Sequence, residues 1–231
     1  GRLGQLTWGG QGIPAALRCH GPLMRHIRRV NFLALDFETA TAQWNSPCEL
    51  GIAVVRGGVV TEVRNRLIKP ASWPYFSPWN VAVHGIRPAD VADAPTFDEL
   101  WQDVHPLVQN STIVAHNASF DMGVLRGTLA SYRIGHPLFQ YFCSVSLSKR
   151  IWPHMPKHDL KTLCTRNGIP LVHHRAGNDA EATARLVLRA GEQLGTASIE
   201  DLLIRARLNM GAFYPGGHRT PGGKVTAVAD Y

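Results

Sequence analysis

Asp36 and Glu38 close the apolar run Asn31-Phe-Leu-Ala-Leu35 with a single residue, Phe37, between them. In an extended strand residues i and i+2 project from one face, so the two carboxylates stand side by side. A run this apolar reads as a buried central strand, where paired like charges raise each other's pKa and cost several kcal/mol unless a cation neutralises them. Two more clusters carry similar groups: His116-Asn117-Ala118-Ser119-Phe120-Asp121 and His174-Arg175-Ala176-Gly177-Asn178-Asp179-Ala180. Each sets an acid at a strand end or in the first turn of a helix, positions that can project into one cleft. Four carboxylates suit two divalent ions, Mg²⁺ or Mn²⁺, because these prefer oxygen ligands. A pair of ions about 3.5 to 4 Å apart can clamp both the attacking and leaving oxygens of a phosphodiester. His174, five residues before Asp179, is of the type that takes a proton from an attacking water near neutral pH.

The elements that must position these groups can be read from periodicity and punctuation. Residues 31 to 37 form a first strand and Glu49 to Val55 a second, and Gly57-Gly58 suits the tight hairpin into a third, about Val59 to Ile68. The Pro- and aromatic-rich stretch Lys69 to Asn80 is too punctuated for a regular element, and it runs on to Val83-His84-Gly85-Ile86. Thr96 and Glu99 have capping-box spacing ahead of a helix with Leu100, Val104, Leu107 and Val108 on its apolar stripe. A short buried strand, Thr112 to Ala115, precedes a helix carrying Phe120, Val124, Leu125 and Leu129. A strand near Phe139 to Cys143 follows, then helices near His158 to Arg166, Asn178 to Ala190 and Ser198 to Arg207. Tyr214 to Gly223 reads as a mobile Gly/Pro-rich tail. The sum is an α/β plan with a mixed five-stranded sheet, a three-strand antiparallel meander plus two parallel strands, flanked by helices. Its active edge is expected where β-strands release their carboxyl ends.

The chain has 231 residues and a net charge of +7, but residues 1 to 29 hold five arginines and no acid, leaving +2 for the rest. Global charge therefore identifies no partner for the folded body. Residues 1 to 29 read as a disordered or appended basic leader, with Met24 as an alternative start. An Arg-rich, acid-poor leader also fits an organelle transit peptide, the less favoured reading. Pro14, Arg18, His20 and Pro22 break any secretory apolar core, and no stretch reaches the length of a membrane span, so a cytoplasmic protein is expected. Cys19, Cys48, Cys143 and Cys164 lie far apart, which favours reduced thiols over a zinc cluster or disulfide scaffold. The expected organisation is the leader, an enzymatic domain over 30 to 195, and a terminal helix with tail over 196 to 231.

Asp36-x-Glu38, Asp121 in its Asn-Ala-x-Phe-Asp context and His174-x4-Asp179 together resemble the three motifs of the DEDDh 3′–5′ exonucleases. The chain is similar in these motifs to the epsilon subunit of DNA polymerase III and to stand-alone epsilon-like exonucleases. Glu49-Leu-Gly and His84-Gly-Ile extend the similarity across residues 30 to 195. The resemblance implies an RNase H-like fold and metal-dependent removal of nucleoside 5′-monophosphates from a free 3′ end, on single-stranded or frayed DNA. It implies Asp36, Glu38, Asp121 and Asp179 as ligands of two Mg²⁺ or Mn²⁺ ions, with His174 as general base. It also suggests Thr39, His84, Ile86, Asn117 and Phe120 as contacts of the terminal nucleotide. Thr39-Ala40 stands where many members have Thr-Thr-Gly, and Cys143-Ser144 where many have Asp-Thr or Cys-Thr.

Other readings stand beside these. Asp121 and Asp179, each alone, fit acids at helix N-termini. His116 reads better as a strand-end residue bonded to backbone than as a catalyst, and His158-Asp159 as the start of a helix. His84 and Ile86 equally fit a Gly-centred turn, and Phe120 equally fits the core. Of the adjacent His173 and His174, one is structural or exposed, and only the spacing to Asp179 selects His174. Trp44, Trp73, Tyr75, Phe76 and Trp79 either stack on unpaired bases or pack their loops. The alternative functions are an exoribonuclease of the oligoribonuclease or tRNA-trimming type, and an inactive nucleic-acid-binding or polymerase-tethering module. Homodimerisation or association with a polymerase is compatible with either.

Overall fold

A computed structural model describes residues 30–227. Residues 1–29, expected to be a basic leader and including Cys19 and Met24, lie outside the described residues. β1 (Phe32–Thr39) pairs antiparallel with β2 (Pro47–Arg56), and β2 with β3 (Val59–Leu67). On its other side β1 runs parallel to β4 (Thr112–Ala115), which is parallel to β5 (Phe139–Cys143). β1 is therefore central, and its side chains divide by parity. Leu33, Leu35 and Phe37 pack with Leu100 and Val104 of α2 (Phe97–Val108) and with Leu125 and Leu129 of α3 (Ala118–Ser131). Phe32 and Ala34 pack on the opposite face against Ala180, Ala184 and Val187 of α6 (Ala176–Leu194) and Leu202 of α7 (Ile199–Ala206). A strand covered on both faces must be apolar throughout, which is why the two acids at its end stand out. β3, at the sheet edge, carries Glu62, Arg64 and Arg66 instead.

The expected meander and the two parallel strands are present, in the order β3-β2-β1-β4-β5, but among the described residues the sheet has eight strands, the further three following one another outward from β5. The additional three, β6 (Gly211–Tyr214), β7 (Gly217–Arg219) and β8 (Val225–Ala227), come from the region 196 to 231, expected to hold a terminal helix and tail, and of them β7 lies within the stretch Tyr214 to Gly223 expected to be mobile. The physical reason is Phe213, which is fully buried and stacks on Phe139 of β5 at 4.8 Å between ring centroids, so β6 completes the core beside β5. The turn between β6 and β7 uses Gly216 at φ +84°, a left-handed conformation natural to glycine.

Among the described residues two α-helices were not expected. α1 (Pro78–His84) grows out of the punctuated loop because Pro78 sits at its first turn, where no amide donor is needed, and Gly85 closes it at φ 77°. α4 (Ser144–Ile151) has three serines among eight residues, a composition that conceals a helix, yet it buries Leu147 and Ser148. The other helices follow expectation: Glu99 accepts from the Thr96 amide at 2.9 Å, and Asp159 caps α5 (Leu160–Asn167) by accepting from the Thr162 amide at 2.9 Å. Among the described residues no helix is long and apolar enough to cross a membrane. Cys48, Cys143 and Cys164 are free thiols.

Candidate active site

The carboxyl ends of β1, β4 and β5 point the same way, and the cleft forms there. β1 delivers Asp36 and Glu38 from its α6 face, both half-buried. A bulge in the β1–β2 pairing follows at once, Glu38 facing Glu49 while Thr39 faces Pro47, so the strand changes course just past the acids. β4 ends at Ala115, and Asn117, in a left-handed conformation at φ 68°, turns the chain into α3. The first turn of α3 then carries Asp121, 1% exposed, to the strand: its Oδ1 accepts from the Phe37 amide at 3.0 Å, between the two β1 acids. Its other oxygen, Oδ2, is buried without a hydrogen-bond partner. α6 supplies Asp179 from its first turn, 3% exposed.

Oxygens of Asp36, Glu38 and Asp179 lie within 4.8 Å of one another. Burial raises the pKa of all four acids, and for Asp36, Glu38 and Asp121 repulsion from neighbouring acids adds to it. Asp36 is pushed well above the carboxylate range by desolvation and then by Asp121, Asp179, Glu38 and Glu49. Glu38 rises to about 8 through burial, Asp179 and Glu49, against a lowering influence from Arg175. Asp121 rises through burial although the Phe37 amide opposes this, and Asp179 rises through burial against the pull of His173. An all-oxygen cluster with one buried oxygen left unpaired fits a hard divalent cation, which would lower every one of these pKa values at once.

Both histidines of the pair stand at the cleft. His173 Nδ1 is 3.0 Å from each Asp179 oxygen, while His174 donates its backbone amide to Asp179 Oδ2 at 3.0 Å. The two rings stack with centroids 3.8 Å apart, and His174 sits at φ 65°, in the left-handed region uncommon for a non-glycine residue. The pKa of His174 is lowered by burial and then by His173. Sequence spacing selected His174 alone, and nothing in the sequence indicated that the side chain of His173 would be the one against Asp179.

Of the residues suggested as nucleotide contacts, Thr39, His84 and Ile86 come together, as a bonded wall. The Thr39 carbonyl accepts from Asn80 Nδ2 at 2.9 Å and lies 3.1 Å from His84 Nε2, and the Ile86 amide donates to His84 Nδ1 at 3.0 Å. His84 and Ile86 are 6% and 4% exposed. Asn117 is exposed, and Phe120 is half-buried with its ring 5.8 Å from that of Trp44. His116 is held by Ser144 Oγ at 2.8 Å and the His158 carbonyl at 3.0 Å, the backbone-bonded role expected of it.

A family model described as exonuclease, RNase_T, matches residues 33–187. A PolC-type DNA polymerase III of Halalkalibacterium halodurans is 30% identical over 202 residues, which cover 86% of this chain and 14% of that protein. The chain thus spans about one seventh of the length of this relative. Among solved structures, Exonuclease X in complex with 5′ overhanging duplex DNA superposes with a TM-score of 0.61 and 25% identity, covering 76% of this chain and 99% of that one. The nuclease domain of 3′hExo, a DEDDh family member bound to rAMP, superposes at 0.58 with 14% identity, covering 73% and 94%. With the motif-bearing acids gathered at one sheet end and the family model spanning them, the chain belongs to the DEDDh 3′–5′ exonuclease family.

Proposed function

We propose that this chain hydrolyses the terminal phosphodiester at the 3′ end of single-stranded or frayed DNA, releasing nucleoside 5′-monophosphates. The observation that carries the reading is the convergence of Asp36, Glu38 and Asp179 within ligand reach, with the unpaired Oδ2 of Asp121 buried one strand position away. Asp36, Glu38, Asp121 and Asp179 would hold two divalent ions, Mg²⁺ or Mn²⁺. Such ions, when bound, supply Lewis-acid neutralisation of charge on the phosphodiester oxygens. His174 is the general base: its lowered pKa keeps the imidazole neutral near pH 7, able to take the proton of the attacking water. His173 holds Asp179 until its carboxylate is engaged. Thr39 and the wall of His84 and Ile86 bound the space for the terminal nucleotide, and Asn117 and Phe120 are its further contacts.

The test is a chain-length ladder on 5′-labelled oligonucleotides. Single-stranded DNA should shorten stepwise in Mg²⁺ or Mn²⁺ and stay intact with chelator, and frayed duplex should be cut faster than fully paired duplex. Matched RNA shortened faster than DNA would move the reading to an exoribonuclease. Tight binding without shortening in either metal would replace it with an inactive binding module.

A further inference from the structure

Glu49 is a fifth carboxylate at the site end of the sheet, directly across the β1–β2 pairing from Glu38 and 0% exposed. Like charges facing each other across strands are ordinarily destabilising, so an acid here calls for a compensating role. Both its oxygens have donors. Oε1 accepts from Asn65 Nδ2 at 2.6 Å and Arg175 Nη2 at 2.9 Å, and Oε2 accepts from the Ala176 amide at 2.9 Å. Asn65 in turn accepts from the Gly177 amide through Oδ1 at 2.7 Å. The first two amides of α6 are thus capped from the sheet, by side chains of β2 and β3, whereas Arg175 at the helix's own N-cap position makes no side-chain cap.

The packing shows the same dependence. A Cβ on Gly51, next but one to Glu49 on β2, would lie 1.9 Å from the Ala176 carbonyl oxygen, and one on Gly177 would lie 3.0 Å from Asn65. At Gly51 the sheet therefore meets the helix N-terminus backbone to backbone, and at Gly177 the helix backbone closes directly on the Asn65 side chain. Asp179 follows within that same first turn, and His173 and His174 immediately precede it.

We infer that Glu49, together with Asn65 and Arg175, is a positioning clamp that fixes the start of α6 and so sets Asp179 and His174 against the β1 acids. Glu49 itself stands outside the group of acids within ligand reach of one another, and both its oxygens are engaged by donors of the clamp. The inference rests on the proposed metal-dependent activity for its consequence and on the hydrogen bonds for its existence. Groups that orient ligands from behind typically change metal affinity or turnover 10- to 100-fold when altered.

The experiment compares Mn²⁺ affinity by calorimetric titration, kcat and KM on a single-stranded oligonucleotide, and melting temperature. In Glu49→Gln the amide nitrogen confronts a donor. Mn²⁺ affinity and kcat should each fall about tenfold or more while KM stays within about threefold. The double variant Glu49→Gln with Asn65→Asp returns a carboxylate between Arg175 and the Gly177 amide, and should recover most of the lost affinity. A lowered melting temperature with Mn²⁺ affinity and kcat unchanged would overturn the clamp and leave Glu49 a stability residue. If Glu49→Gln does not melt cooperatively, Arg175→Gln decides, since that side chain is half-exposed and its loss removes one leg only. Unchanged Mn²⁺ affinity there would also overturn it. Wild-type protein that binds Mn²⁺ but leaves every oligonucleotide intact would remove the proposed activity, while the affinity ratios still judge the clamp.

Discussion

Two buried polar clusters meet at one end of the sheet, and they are built on opposite terms. Around Glu49 every oxygen has a donor: two helix amides, an arginine and an asparagine account for the carboxylate and its neighbour. Around Asp36 the acids face mainly one another, and Asp121 keeps a buried oxygen with no partner. A satisfied cluster stabilises the fold, whereas buried charge left uncompensated costs stability in the absence of a cation. The difference supports placing the proposed chemistry at the second cluster. The second cluster holds the buried oxygen without a partner, and the first backs it as support.

The sharpest way to break this contrast is Asp36→Asn. Nuclease activity should vanish from the ladder assay, while the metal-free protein should melt at a higher temperature, because Asp36, its pKa raised by burial and by the neighbouring acids, must take up a proton to be buried there and an asparagine need not. A residue that merely stabilised the fold would lower both. His174→Ala comes next: turnover should fall by about 100-fold or more with Mn²⁺ affinity nearly intact. Parallel measurement of His173→Ala separates the two imidazoles, and an equal loss in that variant with wild-type rates in His174→Ala would reassign the base to His173.

A smaller effect appears in pH. Glu38 ionises near pH 8 in the metal-free fold and near 4.5 in the unfolded chain, so between those values the folded state holds the extra proton. Stability of the metal-free protein should therefore fall as pH rises from about 4.5 to 8, and saturating Mn²⁺ should flatten that slope. A melting temperature that rises over this range in chelator would show the acids are not crowded.

The legibility of the two clusters in the sequence differs for the same physical reason that they differ in the fold. The acids lie at short, fixed offsets from strand ends and helix starts, so Asp36, Glu38, Asp121 and Asp179 could be read from local pattern. The Glu49 cluster joins residues 49, 65 and 175 to 177 through tertiary pairing, and no local spacing announces it. His173 was missed similarly, because which of two adjacent imidazoles meets Asp179 depends on the left-handed turn at His174. At the C-terminal end, Gly and Pro were read as signs of mobility, although Phe213 had an aromatic partner waiting on β5. α4 was hidden by its serines, whose low intrinsic preference for helix is overridden by the burial of Leu147.

The mildest prediction extends the contrast to a third polar group near the cleft. His116 is bonded to Ser144 and to the His158 carbonyl, and burial pushes its pKa down to about 4. Here the unfolded chain takes the proton first, near pH 6.5, while the folded imidazole stays neutral, so stability is lost as pH falls from about 6.5 towards 4. That slope is opposite in sign to the slope of the acid cluster. In Mn²⁺-saturated protein, where the acids no longer gain from acidification, the loss should stand alone. His116→Gln should melt at a lower temperature at pH 7 yet lose less on acidification to pH 5 than the wild type does. Equal losses in the two proteins would mean that the His116 site tolerates the imidazolium, and that its bonds to Ser144 and His158 rearrange to accept the charge.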